Sequence, residues 1–224
     1  MTGLRIWAIN MKSKRMLIDT AMVILLPIQM AYSLVGEASH EVTGTLMLIL
    51  FIVHHWLNRG WFKGLFRGRY TPRRVFQTVI NLLLIIFMVA QPVTGILMSK
   101  HLYGFLPTAN LTAVGRAIHL PLANWGFVLM CVHAGTHLEK PMRRLPKAGK
   151  AALGVIAAYG CYAFTKRQLP EYMFLKMSFV FFDYNEPRVF FFLDYLAMMV
   201  LFALLGWGIM RLLKKPHTKT ERAE

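Results

Sequence analysis

Eight histidines occur in the 224 residues, and six of them, His40, His54, His55, His119, His133 and His137, fall in or at the ends of two apolar stretches. An ionisable or strongly polar group inside a bilayer is costly and marks a pathway, a relay or a ligand site. The spacing narrows the chemistry. His40 and His54 are fourteen residues apart, and so are His119 and His133. On an α-helix fourteen positions return to within about 40° of the starting direction and rise about 21 Å. Each stretch, if helical, offers one imidazole near each end of a single face. Two such helices running in the same direction bring His40 level with His119 and His54 level with His133. Two imidazoles projecting into a bundle core from facing helices are the axial ligand set of a b-type haem iron. The pattern therefore predicts two haem b groups, with His40, His54, His119 and His133 as the iron ligands.

His55 and His137 are held in reserve. His55 is turned about 60° from His40. His137 lies eighteen residues after His119, a whole number of turns, and shares a face with His133 at i, i+4. It could replace His133, contact a haem propionate or bind a quinone. Gly44, one turn from His40, and Gly126, seven residues from both His119 and His133, would let a flat macrocycle approach the backbone, or equally let helices pack closely. Arg116 and Arg59 could pair with outer and inner propionates or serve as interfacial anchors.

The elements that must position these groups are membrane spans. Hydrophobic residues make up 56% of the chain, and apolar windows near 16–35, 40–57, 75–98, 118–138, 148–165 and 189–212 approach the roughly 20 residues needed to cross a hydrocarbon core. The expected fold class is all-α integral membrane: one domain over 1–224, about six transmembrane helices forming a haem-binding bundle. An aromatic segment at 171–184 suits the membrane interface. With the N-terminus in the cytoplasm, twenty of the twenty-six Lys and Arg fall on the cytoplasmic side: four before the first span, six in 59–74, five in 140–150 and five after Met210. That asymmetry predicts both termini in the cytoplasm of a bacterial inner membrane, and it accounts for a net charge of +16 without nucleic acid. The second and fourth spans then run in the same direction, as the histidine pairing requires. The two cysteines, Cys131 and Cys161, lie in apolar stretches, and the absence of CxxC or CxxCH leaves no support for a disulfide framework, a c-type haem or an iron–sulfur cluster.

Four segments resemble a known family: HEVTGTLMLILFIVHHWLN at 40–58, IHLPLANWGFVLMCVHAGTHL at 118–138, YAFTKRQLPEYMFLKMSFVFFDYNEP at 162–187 and FFLDYLAMMVLFALLGW at 191–207. Together they resemble the small bacterial di-haem cytochromes b linked to flavinylated extracytosolic electron-transfer proteins, over about 16–211. The layout is more distantly similar to the membrane subunits of ferric reductases, hydrogenases and formate dehydrogenases. The family's ligand histidines fall on His40, His54, His119 and His133. The doubled His54–His55 departs from its pattern, so the likeness fixes the level of that ligand and leaves open which residue supplies it. The resemblance implies two b haems, a quinol or cytosolic reductant as electron source, and a flavin or haem protein outside as sink.

With no Gly-rich nucleotide turn and no cysteine cluster, the chain reads as an electron-transfer subunit of an oxidoreductase, its partner a flavoprotein, iron–sulfur or haem subunit. Gln77, Asn81, Gln91 and Asp194 are the polar groups that could line a quinone site. The competing expectation is a proton or metal-ion transporter using an intramembrane histidine relay, with His133 and His137 as its natural pair. It is disfavoured by the scarcity of intramembrane carboxylates, since Asp19, Glu41 and Asp194 sit toward span ends.

Overall fold

The computed structural model describes residues 2–180 and 182–214, and describes the side chains of 2–10 and 109 no further. Lys215, Lys219 and Arg222, counted above among the cytoplasmic cations, lie outside the described residues, as does the side chain of Arg5. Among the described residues the chain is helical, with no strand. Six helices are long: α1 (Thr2–Met30), α3 (Glu37–Leu57), α5 (Pro72–Met98), α6 (Thr112–Thr136), α8 (Lys147–Lys166) and α10 (Arg188–Leu212). Short helices link them: α2 (Tyr32–Val35), α4 (Gly60–Gly64), α7 (Glu139–Arg144) and α9 (Leu169–Met173). The expected windows fall on the six long helices, the first of them broken at Ala31 before α2. The segment at 171–184 holds the end of α9 and then irregular chain, with Phe179 and Tyr184 exposed.

Local sequence explains the boundaries. Pro72 opens α5 at a position where its missing N–H costs nothing, and the Thr71 hydroxyl caps the same turn by accepting from the Arg74 N–H. The left-handed Gln168 turns the chain from α8 into α9. Pro27, Pro92 and Pro121 lie inside α1, α5 and α6, and each removes one intrahelical hydrogen bond.

Three helices, α5, α6 and α10, are long and apolar enough to cross a membrane. Their outer faces carry exposed Val79, Leu82, Ile86, Val93, Val114, Leu193 and Leu205, as lipid contact demands. The others carry more polar residues: Lys14, Arg15 and Asp19 in α1, Glu37, His40, Glu41, His54 and His55 in α3, and three lysines in α8, which is otherwise rich in Gly and Ala.

The packing divides the helices into two groups. α6 packs closely on α5 and α10, and α10 on α8, while α1 pairs with α3. Gly135 and Gly206 make the α6–α10 contact possible: a Cβ at Gly135 would sit 2.1 Å from the Ala203 carbonyl oxygen, and one at Gly206 would sit 2.2 Å from that of Val132. The histidine-bearing helices α3 and α6 share almost no close backbone contact. Phe127, Leu169 and Met198 fill the centre of the larger group.

Candidate haem sites between two histidine helices

Because both α3 and α6 follow a single antiparallel neighbour, His40 and His119 arrive at the same level. Their ring centroids are 6.3 Å apart and the ring planes cross at 71°. Two imidazoles on opposite sides of one metal, each about 2 Å from it through a ring nitrogen, have ring centres about 6 Å apart. The observed separation is that distance. Beside the pair opens a cavity of about 430 Å³ lined by both histidines, by Gly44, Gly95 and Gly126, and by Gln91 and Arg116. This volume lies in the range of cofactor pockets. A Cβ at Gly126 would meet nothing within 4 Å, so the backbone there faces open space. Pro92 lines the cavity, as do Leu26, Leu120 and Leu122 beside Pro27 and Pro121, so all three helix-interior prolines lie at its level.

The ring nitrogens have specific partners. His119 Nδ1 is 3.0 Å from Thr94 Oγ1, whose hydroxyl donates to the backbone carbonyl of Ala90 or Gln91 and so accepts the ring proton. That tautomer leaves the lone pair on Nε2, which lies 3.0 Å from the Gln91 amide nitrogen. Gln91 Oε1 and His40 Nδ1 are buried polar atoms without partners. Thr94 is an ordinary apolar-helix threonine in the sequence. Its role needs the rotation of α5 against α6, which local spacing does not encode.

At the other end of the same helices, His54 Nδ1 donates to Asp19 Oδ1 at 2.7 Å and His133 Nδ1 to Asn81 Oδ1 at 2.9 Å. Both rings again carry the proton on Nδ1 and the lone pair on Nε2, the arrangement of a metal-bound histidine held by an outer acceptor. No ring contact joins His54 to His133, and the 430 Å³ cavity does not reach them. The titratable groups within electrostatic reach of His133 are His137, His54 and His55. His55 donates from Nδ1 to the Phe51 carbonyl at 2.9 Å and packs between Phe51 and Phe62. His137 stands edge-on to His133 at 5.1 Å and is exposed. Among the described residues no three His, Cys, Asp or Glu side chains converge as an ion site; a haem iron asks for only two.

Arg116, at the cavity, stacks on Phe179 at 5.5 Å and pairs with no carboxylate among the described residues. Arg59 lies 5.2 Å from the Trp56 ring. Glu41, beside His40, accepts from Ser99 Oγ and from the backbone N–H of Lys100 and Leu102, and so ties α3 to the loop after α5. The polar groups considered for a quinone are engaged: Asn81 and Gln91 with histidines, and the fully buried Asp194 with Tyr159, Lys166 and Arg167. Gln77 borders a cleft formed with Trp61, Leu65 and Arg74.

The residues fit a haem held between His40 and His119 on three counts, ring separation, an adjoining cavity and an unpartnered buried nitrogen, while the His119 Nε2 lone pair accepts from the Gln91 amide, which would have to turn away for that nitrogen to bind iron. The lower end supplies the fixed lone pairs without the open space. No protein-family model matches the chain, and neither a curated protein nor a solved structure matches it.

Proposed function

We propose that this protein is a six-span cytochrome b of a bacterial inner membrane that carries electrons between a donor at one face and a redox protein at the other. The observation that carries the reading is the 6.3 Å separation of the His40 and His119 rings beside a cavity of about 430 Å³. A b haem supplies one-electron iron chemistry when bound. The chain's contribution is to present four imidazoles in two layers about 21 Å apart along α3 and α6. Thr94, Asn81 and Asp19 fix the tautomer and aim of three of these rings. Arg116 is the cation available to a propionate at the His40 level, and α5 and α10 pack against α6 to hold that helix in place. Both termini lie in the cytoplasm by the distribution of basic loops, which makes the His40/His119 layer the outer one. The donor is a quinol or a cytosolic reductant, and the acceptor an outer flavoprotein, iron–sulfur or haem subunit.

The test is an oxidised-minus-reduced visible spectrum of the detergent-purified protein, with haem quantified per chain in wild type, His40→Ala and His133→Ala. The expected result is two b haems per chain, falling to about one in each variant. A colourless protein overturns the proposal and leaves the histidine relay as the reading to pursue.

A further inference from the structure

The guanidinium of Arg74 is wrapped by the linker that precedes it. Nη2 donates to the carbonyls of Gly64 at 2.6 Å and Leu65 at 3.3 Å, Nη1 donates to that of Arg69 at 3.3 Å, and the guanidinium lies 4.2 Å from the centre of the Tyr70 ring. Gly68 makes this approach possible, with φ +76° and a Cβ position that would fall 3.2 Å from Arg74 Nη1. Carbonyl dipoles and a ring face hold the cation without cancelling its charge. Beside it opens a cleft of about 470 Å³ whose lining includes Trp61, Leu65, Arg67, Arg74, Gln77 and Thr78. The side chains of Arg67, Gln77 and Thr78 make no hydrogen bond or ion pair among the described residues. The linker 59–74 carries six basic residues and no carboxylate. Among the described residues the one acid that reaches it, Glu139, is shared between Arg73 and Lys214. A cytoplasmic bias asks only that cations stay on one side of the membrane. It does not ask for two of them at a polar cleft without a carboxylate.

The depth of the cleft says what anion it meets. α5 is one of the three helices long and apolar enough to cross a membrane, and Gln77 and Thr78 lie near its start, between the exposed Val75 and Val79. An exposed valine in a span faces lipid, so an occupant that reaches Gln77 and Thr78 sits at the level of the phospholipid head groups. Trp61, in the same cleft, is an aromatic of the kind enriched at that level. A soluble acidic protein would have to enter the head-group layer to touch these residues, whereas a lipid is already there. We propose that this cleft binds the phosphate head group of an anionic phospholipid of the surrounding leaflet, with Arg74 as its fixed cation, Arg67 as its free one, and Gln77 and Thr78 as uncharged donors. A guanidinium donates to two phosphate oxygens at once, and a basic pocket beside a membrane helix on the cytoplasmic side is the setting in which head groups are held. The site asks nothing of the histidines and stands apart from the cytochrome reading.

The experiment is a lipid titration of the delipidated, detergent-purified full chain, with bound lipid counted by native mass spectrometry and phosphatidylglycerol, phosphatidylcholine and inorganic phosphate as probes. Wild type is expected to take its first phosphatidylglycerol more tightly than its first phosphatidylcholine. Arg67→Gln is expected to weaken that first phosphatidylglycerol by about fivefold, the worth of one cation near an anionic lipid surface. Gln77→Leu leaves the charge unchanged and is expected to weaken it as well. Arg143→Gln removes an exposed cation of the 140–150 linker, outside the cleft, and is expected to leave it unchanged. The proposal is overturned if the two lipids bind alike, or if Arg67→Gln and Gln77→Leu both leave binding as it was. It is overturned equally if Arg143→Gln costs as much as Arg67→Gln, which would make the preference a property of the whole basic face. Displacement of phosphatidylglycerol by inorganic phosphate at matching concentration would assign the cleft to a soluble anion instead of a lipid. None of these readouts involves colour, so a failure here leaves the haem question where it stood.

Discussion

An imidazole donating from Nδ1 to an oxygen has its proton fixed, and its Nε2 lone pair is aimed as well as available. Three of the four candidate ligands have such a partner, on helices other than their own: Asp19 on α1, Asn81 and Thr94 on α5. Loss of an outer-shell partner of this kind costs about 10–100-fold in metal-site affinity. Asn81→Leu keeps the bulk and removes the acceptor for His133. Haem titration into the haem-free protein is expected to show one site weakened by about that factor and the other unchanged, and equal weakening of both sites would show that Asn81 acts on the fold. The histidine spacing was legible because a repeat of fourteen is a property of one helix, whatever its neighbours. The acceptors were not. Asn81 and Gln91 could be noticed only as polar groups in an apolar helix, and Asp19 only as a carboxylate near a span end, because the rotation of α1 and α5 against the histidine helices is set by packing. The choice between His54 and His55 likewise turns on surroundings: His55 donates to its own helix and packs among aromatics, while His54 donates across to α1.

Between elements, two kinds of glycine have opposite work. Gly135 and Gly206 sit where the backbones of α6 and α10 touch, and Gly126, on the same helix as Gly135, faces open space. Added bulk should therefore separate fold from cofactor. Gly135→Ala drives a Cβ against the Ala203 carbonyl, a forced shift in a well-packed interface of the kind that costs about 1–3 kcal/mol. It is expected to lower the thermal midpoint of the haem-free, detergent-solubilised protein. Gly126→Leu is expected to leave that midpoint close to wild type and to reduce haem content toward one per chain, by filling the cavity beside His40 and His119. A midpoint lost in both variants would mean that the cavity wall is part of the packed core. In the sequence Gly126 stands apart only by its spacing of seven from His119 and His133, which suits close helix packing equally well, and Gly135 and Gly206 carry no mark at all. What separates them is that α6 is pressed against α10 on one side and held off α3 on the other.

At the scale of the whole molecule the charges separate by end. Arg73 at the start of α5 and Lys214 after α10 both reach Glu139 of α7, and their hydrogen bonds and charge hold its carboxyl below the usual range. The arginine- and lysine-rich linkers are thereby gathered at the end that carries His54 and His133. At the opposite end, Glu37 pairs with Lys100, and Lys166 and Arg167 pair with Glu186 and Asp194. On the proposed topology the six cations at that end, Lys100, Arg116, Lys166, Arg167, Lys176 and Arg188, are matched in the sequence by six carboxylates, Glu37, Glu41, Glu171, Asp183, Glu186 and Asp194, which assigns the net charge of +16 to the cytoplasmic side. On that topology the positive-inside bias sets one orientation in the bilayer. The loop tips Phe66 and Phe105, 92% and 79% exposed, report it. With a membrane-impermeant maleimide on intact cells, Phe105→Cys is expected to label at once and Phe66→Cys only after permeabilisation, with the wild-type cysteines Cys131 and Cys161 as the background. The opposite pattern would place the end that carries His54 and His133 outside and overturn the proposed orientation.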